Sequence, residues 1–544
     1  MPAFPQQTGK LGSRMNEGQA TSTTFSPGQD RPGRPGNAPV LEEALELRPK
    51  IPSAAAGLLG RIGQESGWQR GLSEFLNASS PGKMLQSYLK LAERTPPKSR
   101  RELRQQLGRD LAGIDALLSR QVNEIIHHPR FQQLEASWRS IALLVQQANA
   151  DQGVKVKILS VSKIQLYKDL DSAIEFDQSE IFHKLYHKEF KMPGGEPFGV
   201  LIGDYEFGYG PEDVRMLAKI SEVAALSFCP FIAGASPALL GGRDFAGLEL
   251  PRNLERQFQT EGYADWRRLR DQEESAFLGL TMPRILLRLP YGQGPLRDDG
   301  FDFQEDVAGA DSSKHLWGNA AYAFAQVLMR AFAETGWLAD IRGVVRAEAQ
   351  GGLVTMLPAA SFGTDRPGTV AKCPTDLTVV DTQEKDLAEL GLIPLCHCHG
   401  TEYCAFYGCP SLRQPKRYND LSANMNARLS AMLQYVFCAS RFAHFLNALA
   451  RDLVGSSATA QELQSKLNEW VQEYVLNFPD ASPELQAKRP LRAAKCAVTD
   501  RPGKPGSYDC VLHLQPHYRL DAVTANVQLK TLHVDRTGQG GGAN

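Results

Sequence analysis

A strand, a helix and a second strand follow one another closely in the first half of the chain, and this succession constrains the fold most. The strands are the apolar runs Phe198–Ile202 and Phe231–Ala233. Between them Pro211 stands at a first-turn position of a helix, and Glu212 and Asp213 follow at the positive end of its dipole. Parallel strands need such a crossover, and parallel sheets are covered on both faces. The sequence therefore predicts an α/β fold with a buried, largely parallel sheet.

Neighbouring segments extend this predicted α/β body over residues 151–415. Apolar residues alternate at 154–161, and Ile285–Leu289 is a further apolar run, so that both are typical of strands. The alanine-rich, nearly uncharged segment Trp317–Phe332 is typical of a helix inside such a body. We expect one mixed α/β domain here.

Two amphipathic helices are predicted between residues 100 and 150, with a break at Pro129. The first has apolar residues at three-to-four spacing, which places them in one stripe. The second has a similar stripe, which we expect to face inward and which consists of Phe131, Leu134, Trp138, Ile141 and Val145. Together the helices form a helical hairpin that packs either on this chain or on another.

The region 416–534 is predicted to contain two helices, Asn419–Leu453 and Glu462–Phe478, followed by two strands. Pro516 and Asp521 lie in the connection between the strands. A strand at the end of a chain has unpaired backbone groups on at least one edge, so that it can pair with a strand of another molecule. We predict that these strands join an intermolecular sheet through Tyr508, Cys510, Leu512, Leu514, Val523, Ala525, Val527 and Leu529.

Both ends of the chain have a different composition from its middle. Residues 1–52 are rich in Pro, Gly, Gln, Ser and Thr and bury too little surface to offset the entropy of ordering, so we expect disorder. Within the linker 53–99, Ser53 can cap a short helix, either a docking peptide or a helix folded back on the body. Its apolar face consists of Leu58, Leu59 and Ile62. The glycine-rich tail 535–544 is predicted to be flexible.

The charge balance excludes some classes of function. The chain has 60 Lys+Arg and 61 Asp+Glu, which argues against a protein whose main task is to neutralise nucleic acid or anionic lipid. The longest uncharged stretch contains Pro230, Gly234 and Pro237, which disfavour a membrane-spanning helix. No secretory signal is visible, and most cysteines stand alone in apolar contexts. We expect a soluble cytoplasmic protein that binds neither nucleic acid nor membrane.

Catalytic motifs are incomplete in this sequence. Ser236 lacks the second glycine of a nucleophile elbow, and Gly503-Lys504 lacks the rest of a phosphate-binding loop. The nearest approach to a metal site has six potential ligands, namely Cys396, His397, Cys398, His399, Cys404 and Cys409. Their spacing lacks paired Cys-x-x-Cys elements, and alternation is also typical of a strand. We interpret the segment as a buried strand, with a zinc-binding α/β enzyme as the alternative.

Several longer motifs resemble the large subunit of the type VI secretion contractile sheath, the TssC/VipB family. The longest is Ile126–Arg139, with the sequence IHHPRFQQLEASWR. The others occur in family order and are Gly203–Phe207, Pro211–Asp213, Pro230–Ala233, Leu280–Arg284, Leu289–Gly292, Leu316–Tyr322, Ser440–His444 and Pro502–Gly506. The resemblance covers residues 110–534, and the N-terminal extension and the Cys/His-rich segment depart from it.

The resemblance implies a structural protein with no catalytic residues and no cofactor. Members of the family pair with a small TssB/VipA-like subunit and stack in hexameric rings on a baseplate, around an inner tube of Hcp-like protein. Contraction propels the tube, and a ClpV-type AAA+ unfoldase then dismantles the sheath. Leu58, Leu59 and Ile62 become candidates for the unfoldase contact. The candidates for the small-subunit interface are Leu111, Ile114, Leu118 and Ile125. A free-standing adaptor with a docking tail is a further alternative.

Overall fold

The computed structural model describes residues 65–92, 97, 99–148, 152–192, 194–248, 250, 254–292, 301, 303–307, 312–344, 350–358, 373–398, 401, 403–453, 459–478, 481–500 and 508–517. The chain divides into two compact units, Met1–Gly108 and Arg109–Asn544. Several predictions lie outside the described residues, namely those for 1–52, Leu58, Leu59, Ile62, Val523, Ala525, Val527, Leu529 and 535–544.

The longer helices of the described residues are α1 (Glu65–Leu76), α2 (Pro81–Leu91), α3 (Arg100–Ile126), α4 (Pro129–Gln147), α5 (Lys163–Ser172), α6 (Pro211–Leu226), α7 (Ala264–Asp271), α8 (Ala320–Thr335), α9 (Asp381–Glu389), α10 (Leu421–Ser430), α11 (Leu433–Leu453) and α12 (Ala460–Gln472). Shorter helical segments are Phe176–Gln178, Glu180–Phe182, His183–Lys191, Pro237–Leu240, Leu254–Phe258, Glu261–Tyr263, Glu274–Phe277, Ser312–Lys314 and Pro483–Lys488. The strands are β1 (Leu201–Phe207), β2 (Phe231–Ala235), β3 (Leu278–Met282), β4 (Ile285–Leu286), β5 (Trp317–Gly318), β6 (Leu353–Val354), β7 (Leu392–His397), β8 (Cys404–Phe406), β9 (Leu491–Asp500) and β10 (Tyr508–Pro516).

A six-stranded sheet with the order β1-β2-β3-β7-β8-β6 forms the centre of the larger unit. The first four strands are parallel, and β8 pairs antiparallel with both β7 and β6. The predicted strand–helix–strand crossover is β1–α6–β2. The prediction of a mixed α/β fold is confirmed.

Side chains from both faces of the sheet are buried. On β2, Phe231 and Ala233 pack in a core that also contains Leu217 of α6 and Trp266 of α7. Ile232 points to the opposite face, where it joins the core built around α8. This alternation follows from the two-residue period of a strand and confirms the predicted double cover.

Three local predictions need correction. Residues 154–161 are extended but pair with no strand within the described residues, and Ile158 is 60% exposed. The segment Trp317–Gly318, expected in a helix, forms β5, and α8 begins after the N-cap Asn319. The expected helix Asn419–Leu453 is divided into α10 and α11, because the N–H of Leu433 donates to the carbonyl of Cys409 at 3.0 Å.

No helix within the described ranges is long and apolar enough to cross a bilayer.

Candidate assembly surfaces

The predicted apolar stripe of α3 exists and faces solvent. Leu111 is 60% exposed and Ile125 is 57% exposed, and Ile114 and Leu118 between them are exposed as well. The four side chains share one face of the helix because their spacing follows its 3.6-residue period. The stripe therefore has the properties of a surface for another protein.

The stripe of α4 is oriented differently from the prediction. Trp138 is 62% exposed, and Phe131, Leu134 and Val145 are also exposed. The buried side of α4 instead contains Leu144, which packs on Tyr322 and Ala325 of α8. The five residues that we expected to face inward therefore add mostly to the exposed apolar surface, although Ile141 is partly buried.

Glu135 and His127 of the longest motif, Ile126–Arg139, bind buried charged residues of the α/β body. Arg288 Nη1 lies 2.5 Å from Glu305 Oε2, and Arg288 Nε lies 2.9 Å from Glu135 Oε1 of α4. His127 Nε2, in the turn after α3, lies 3.2 Å from Glu305 Oε1. Burial by itself raises the pKa of Glu305, but hydrogen bonds from Arg288 and from the N–H of Tyr291 leave it below its ordinary value. The carboxylate is therefore ionised and holds the turn between α3 and α4 in place.

An open cleft of about 1960 Å³ lies beside α4. It is lined by Trp138 of α4, by the unpaired segment 153–163 and by β1. Asp204 of β1 accepts a hydrogen bond from the hydroxyl of Ser137. Burial raises the pKa of this carboxyl group. The cleft thus continues the exposed apolar surface of α4 into the body.

One edge of the β9–β10 hairpin is closed by three side-chain amides of α12. Asn468 accepts from the N–H of Cys496 at 2.7 Å and donates to its carbonyl at 3.0 Å. Gln464 accepts from the N–H of Val498, and Gln472 donates to the carbonyl of Ala494. Four helical residues advance about 6 Å and two strand residues about 6.7 Å, so that three rungs stay in register. Sequence analysis missed this amide ladder, although its four-residue spacing was readable.

The opposite edge of the hairpin, on β10, is open in the described residues. β10 pairs antiparallel with β9, and Leu512 lies opposite Cys496. Since Cys496 directs both backbone groups to Asn468, this pair exchanges no hydrogen bond, and the N–H and C=O of Leu512 point away from β9. The same holds by alternation for Cys510 and Leu514. These three residues were among those predicted for strand exchange; the sequence did not predict β9 as their partner.

The Cys/His-rich segment forms parts of β7 and β8. Cys396 and Cys404 are buried, and His397 Nε2 lies 2.8 Å from the carbonyl of Thr401. The thiol of Cys409 is directed at Gln434 Oε1, at 3.9 Å. Among the described residues, which omit His399, no three His, Cys, Asp or Glu side chains come together to hold a metal ion. The predicted strand is present, and nothing favours the zinc enzyme.

Comparisons with known proteins agree with the resemblance. The model of the EvpB/VC_A0108 tail sheath N-terminal domain matches residues 108–413, and that of the tail sheath gpW/gp25-like domain matches residues 422–532. The type VI secretion system sheath protein TssC1 of Pseudomonas aeruginosa is 43% identical over 422 residues, which are 77% of this chain and 84% of that protein.

Two solved structures from the anti-feeding prophage are more distant. The baseplate structure has a TM-score of 0.34 at 9% identity and covers 69% of this chain and 82% of its own. The contracted helical sheath has a TM-score of 0.30 at 10% identity and covers 57% and 65%. From the two family models and the identity to TssC1, the chain belongs to the TssC/VipB family of type VI secretion sheath proteins.

Proposed function

We propose that this chain is the structural large subunit of a contractile sheath and that it transmits force through shared backbone hydrogen bonds. The open edge of β10 is the observation that supports this most directly. A strand of a neighbouring protomer can pair with the outward groups of Cys510, Leu512 and Leu514. Each hydrogen bond contributes about 1 kcal/mol net, so several bonds per contact, repeated over a lattice, are needed to withstand contraction.

The closed edge of β9 restricts pairing with a neighbour's strand to one side of the hairpin. Because the α12 amides occupy the outward groups of β9, a neighbour's strand has access to β10 only. A two-stranded sheet with two open edges permits uncontrolled growth, and a covered edge prevents it. One-sided pairing is compatible with a regular lattice of identical contacts.

The exposed stripe of α3, together with α4 and the cleft, is proposed to bind a small TssB/VipA-like subunit. Leu111, Ile114, Leu118 and Ile125 lie on one helix face, and Trp138 of α4 is a large exposed aromatic side chain. Burying such apolar side chains contributes about 1.5–3 kcal/mol each, which offsets part of the cost of association.

The remaining partners are proposed from family membership alone. We propose that the heterodimers stack as hexameric rings around an Hcp-like inner tube in the bacterial cytoplasm, start from a baseplate and contract to a second, more stable packing. A ClpV-type unfoldase then acts on the N-terminal face of Leu58, Leu59 and Ile62. No step of this cycle needs catalysis by this chain.

The substitution Cys510→Pro tests the role of the β10 edge. Proline removes one outward N–H donor and its ring blocks a docking strand, whereas Cys510→Ala keeps the donor and serves as the control. On co-expression with the small subunit, we expect the proline variant to yield soluble heterodimer and at least tenfold fewer sheaths in negative-stain images, and the alanine variant to assemble normally. Normal sheaths from the proline variant contradict the proposal.

A further inference from the structure

Two thiols lie next to each other between the strands of the C-terminal hairpin. Cys496 Sγ of β9 and Cys510 Sγ of β10 are 3.1 Å apart. Cys510 lies opposite Val498, and Cys496 lies opposite Leu512. The two cysteines are therefore diagonal neighbours on the same face of the hairpin.

The two thiols differ in their exposure to solvent and in how firmly the backbone that carries them is held. Cys496 is fully buried, and its backbone is held by both hydrogen bonds of Asn468. Cys510 is exposed to solvent. An oxidant can therefore reach the thiol of Cys510 directly, while the thiol of Cys496 is held at a fixed position beside it.

We propose that Cys496 and Cys510 form a reversible intrachain disulfide, a redox modification site that links β9 to β10. A disulfide bond is about 2.05 Å long, so the two sulfurs need to approach by only about 1 Å. The cysteines are 14 positions apart, and the bond closes the segment between them into a covalent loop.

The oxidant is a low-molecular-weight disulfide, RSSR. The Cys510 thiolate attacks one of its sulfurs, which forms a mixed disulfide and releases RS⁻. Cys496 then attacks Sγ of Cys510, and a second RS⁻ leaves. The two thiol protons pass to the two leaving thiolates, so that the protein loses two electrons and two protons and RSSR becomes two RSH. Excess thiol reverses both steps.

The disulfide makes separation of β10 from β9 more difficult. Val511 lies opposite Ala497, in a pair that exchanges hydrogen bonds, and its N–H is protected only while the hairpin is closed. The link therefore slows exchange of this amide hydrogen. That it also strengthens a strand under load rests on the proposed function, whereas formation of the disulfide does not.

The test uses the full chain without any partner, treated with oxidised glutathione and alkylated without reduction. We expect peptide mapping to find a peptide pair linked through Cys496 and Cys510, and dithiothreitol to restore both thiols. The exposed Cys510→Ser variant loses the pair, and Cys438→Ser, which removes a buried thiol elsewhere, keeps it. In the oxidised chain we expect the Val511 amide to exchange at least tenfold more slowly.

Three results overturn the proposal: glutathione retained on Cys510 with Cys496 still reduced, a link from Cys510 to another cysteine, or no modification. Far-UV circular dichroism of Cys510→Ser verifies its fold. Since no sheath is needed, this test can fail while the Cys510→Pro variant still behaves as proposed, and the reverse also holds.

Discussion

His444 shows how a single motif residue depends on its surroundings. It is 4% exposed on α11, and its Nε2 atom lies 3.1 Å from the carbonyl of Ser227 in the turn after α6. Burial, with a smaller contribution from Arg441, lowers its pKa to about 4. The imidazole is therefore neutral in the folded chain and donates to Ser227.

This burial predicts a loss of stability in acid. The unfolded chain binds a proton at His444 near its ordinary pKa of about 6.5, whereas the folded chain binds it only near 4. The free energy of unfolding therefore falls as the pH drops from about 6.5 to 4, by about 3 kcal/mol from this residue, and changes no further below that.

The variant His444→Gln isolates this contribution, because glutamine keeps a donor for Ser227 but does not titrate. Urea unfolding at several pH values is expected to show a smaller acid-induced loss in the variant than in the wild type. Curves that stay parallel between pH 7 and pH 4 exclude this role of His444.

At the scale of elements, the region of α3 and α4 has some side chains that bind the α/β body and others that are exposed to solvent. Glu135 of α4 and His127 of the turn join the buried network around Arg288, while the apolar stripes of both helices are mostly exposed to solvent. An isolated amphipathic helix normally turns its apolar face inward, because burial of that face stabilises it. We propose that another chain covers these exposed apolar side chains.

A charge on this face is expected to abolish heterodimer formation. Leu118→Asp places a carboxylate in the stripe, whereas Ala116→Asp adds the same charge to the opposite, exposed face of α3. Co-purification with the small subunit is expected to fall at least tenfold for Leu118→Asp and to stay at the wild-type level for Ala116→Asp. Equal recovery of the complex with both variants refutes the interface.

At the scale of the whole molecule, the larger unit contains a doubly covered sheet and a separate two-stranded hairpin. Helices of the same unit cover both faces of the six-stranded sheet. The hairpin has one edge closed by α12 and one edge open. The buried charges around Arg288 fix α4 and the turn before it to the body that contains the sheet. A sheath subunit needs such stiffness between its contact surfaces, because relative motion inside the subunit would dissipate the force.

Removing this charge network is expected to destabilise the whole unit. Arg288→Met leaves the fully buried Glu305 without its cation, and such a loss costs about 3–5 kcal/mol. Arg139→Met is the control, since Arg139 also binds Glu135, at 2.7 Å, but is 39% exposed, and exposed pairs contribute about 0–1 kcal/mol. Urea unfolding followed by circular dichroism measures the stability of both variants. Equal unfolding midpoints for the two variants contradict the structural role of the network.

Local patterns predicted much of this fold. The β1–α6–β2 crossover, the α3 stripe and the strand character of 508–514 all follow from spacings within a few residues of the chain. The surface that includes Leu111 and Leu118 was predicted for the same reason. The N-terminal contact and the strand at 523–529 lie outside the described residues and stay predictions.

Other features depend on residues far apart in the sequence. The alternation at 154–161 is that of a strand, yet the segment is unpaired, because pairing requires a neighbour that no local pattern specifies. Similarly, the pattern of α4 alone does not decide whether Trp138 is buried or exposed. Packing against α8 decides it, because α8 covers the side of α4 that contains Leu144.

The sequence by itself determined the family, the α/β class and the apolar stripes of the helices, because periodicity and motifs are local properties. Only the tertiary structure decided that β9 pairs with β10, that three amides of α12 close one edge, and that Cys496 meets Cys510. These outcomes depend on distances between segments, and such distances exist only after the chain has folded.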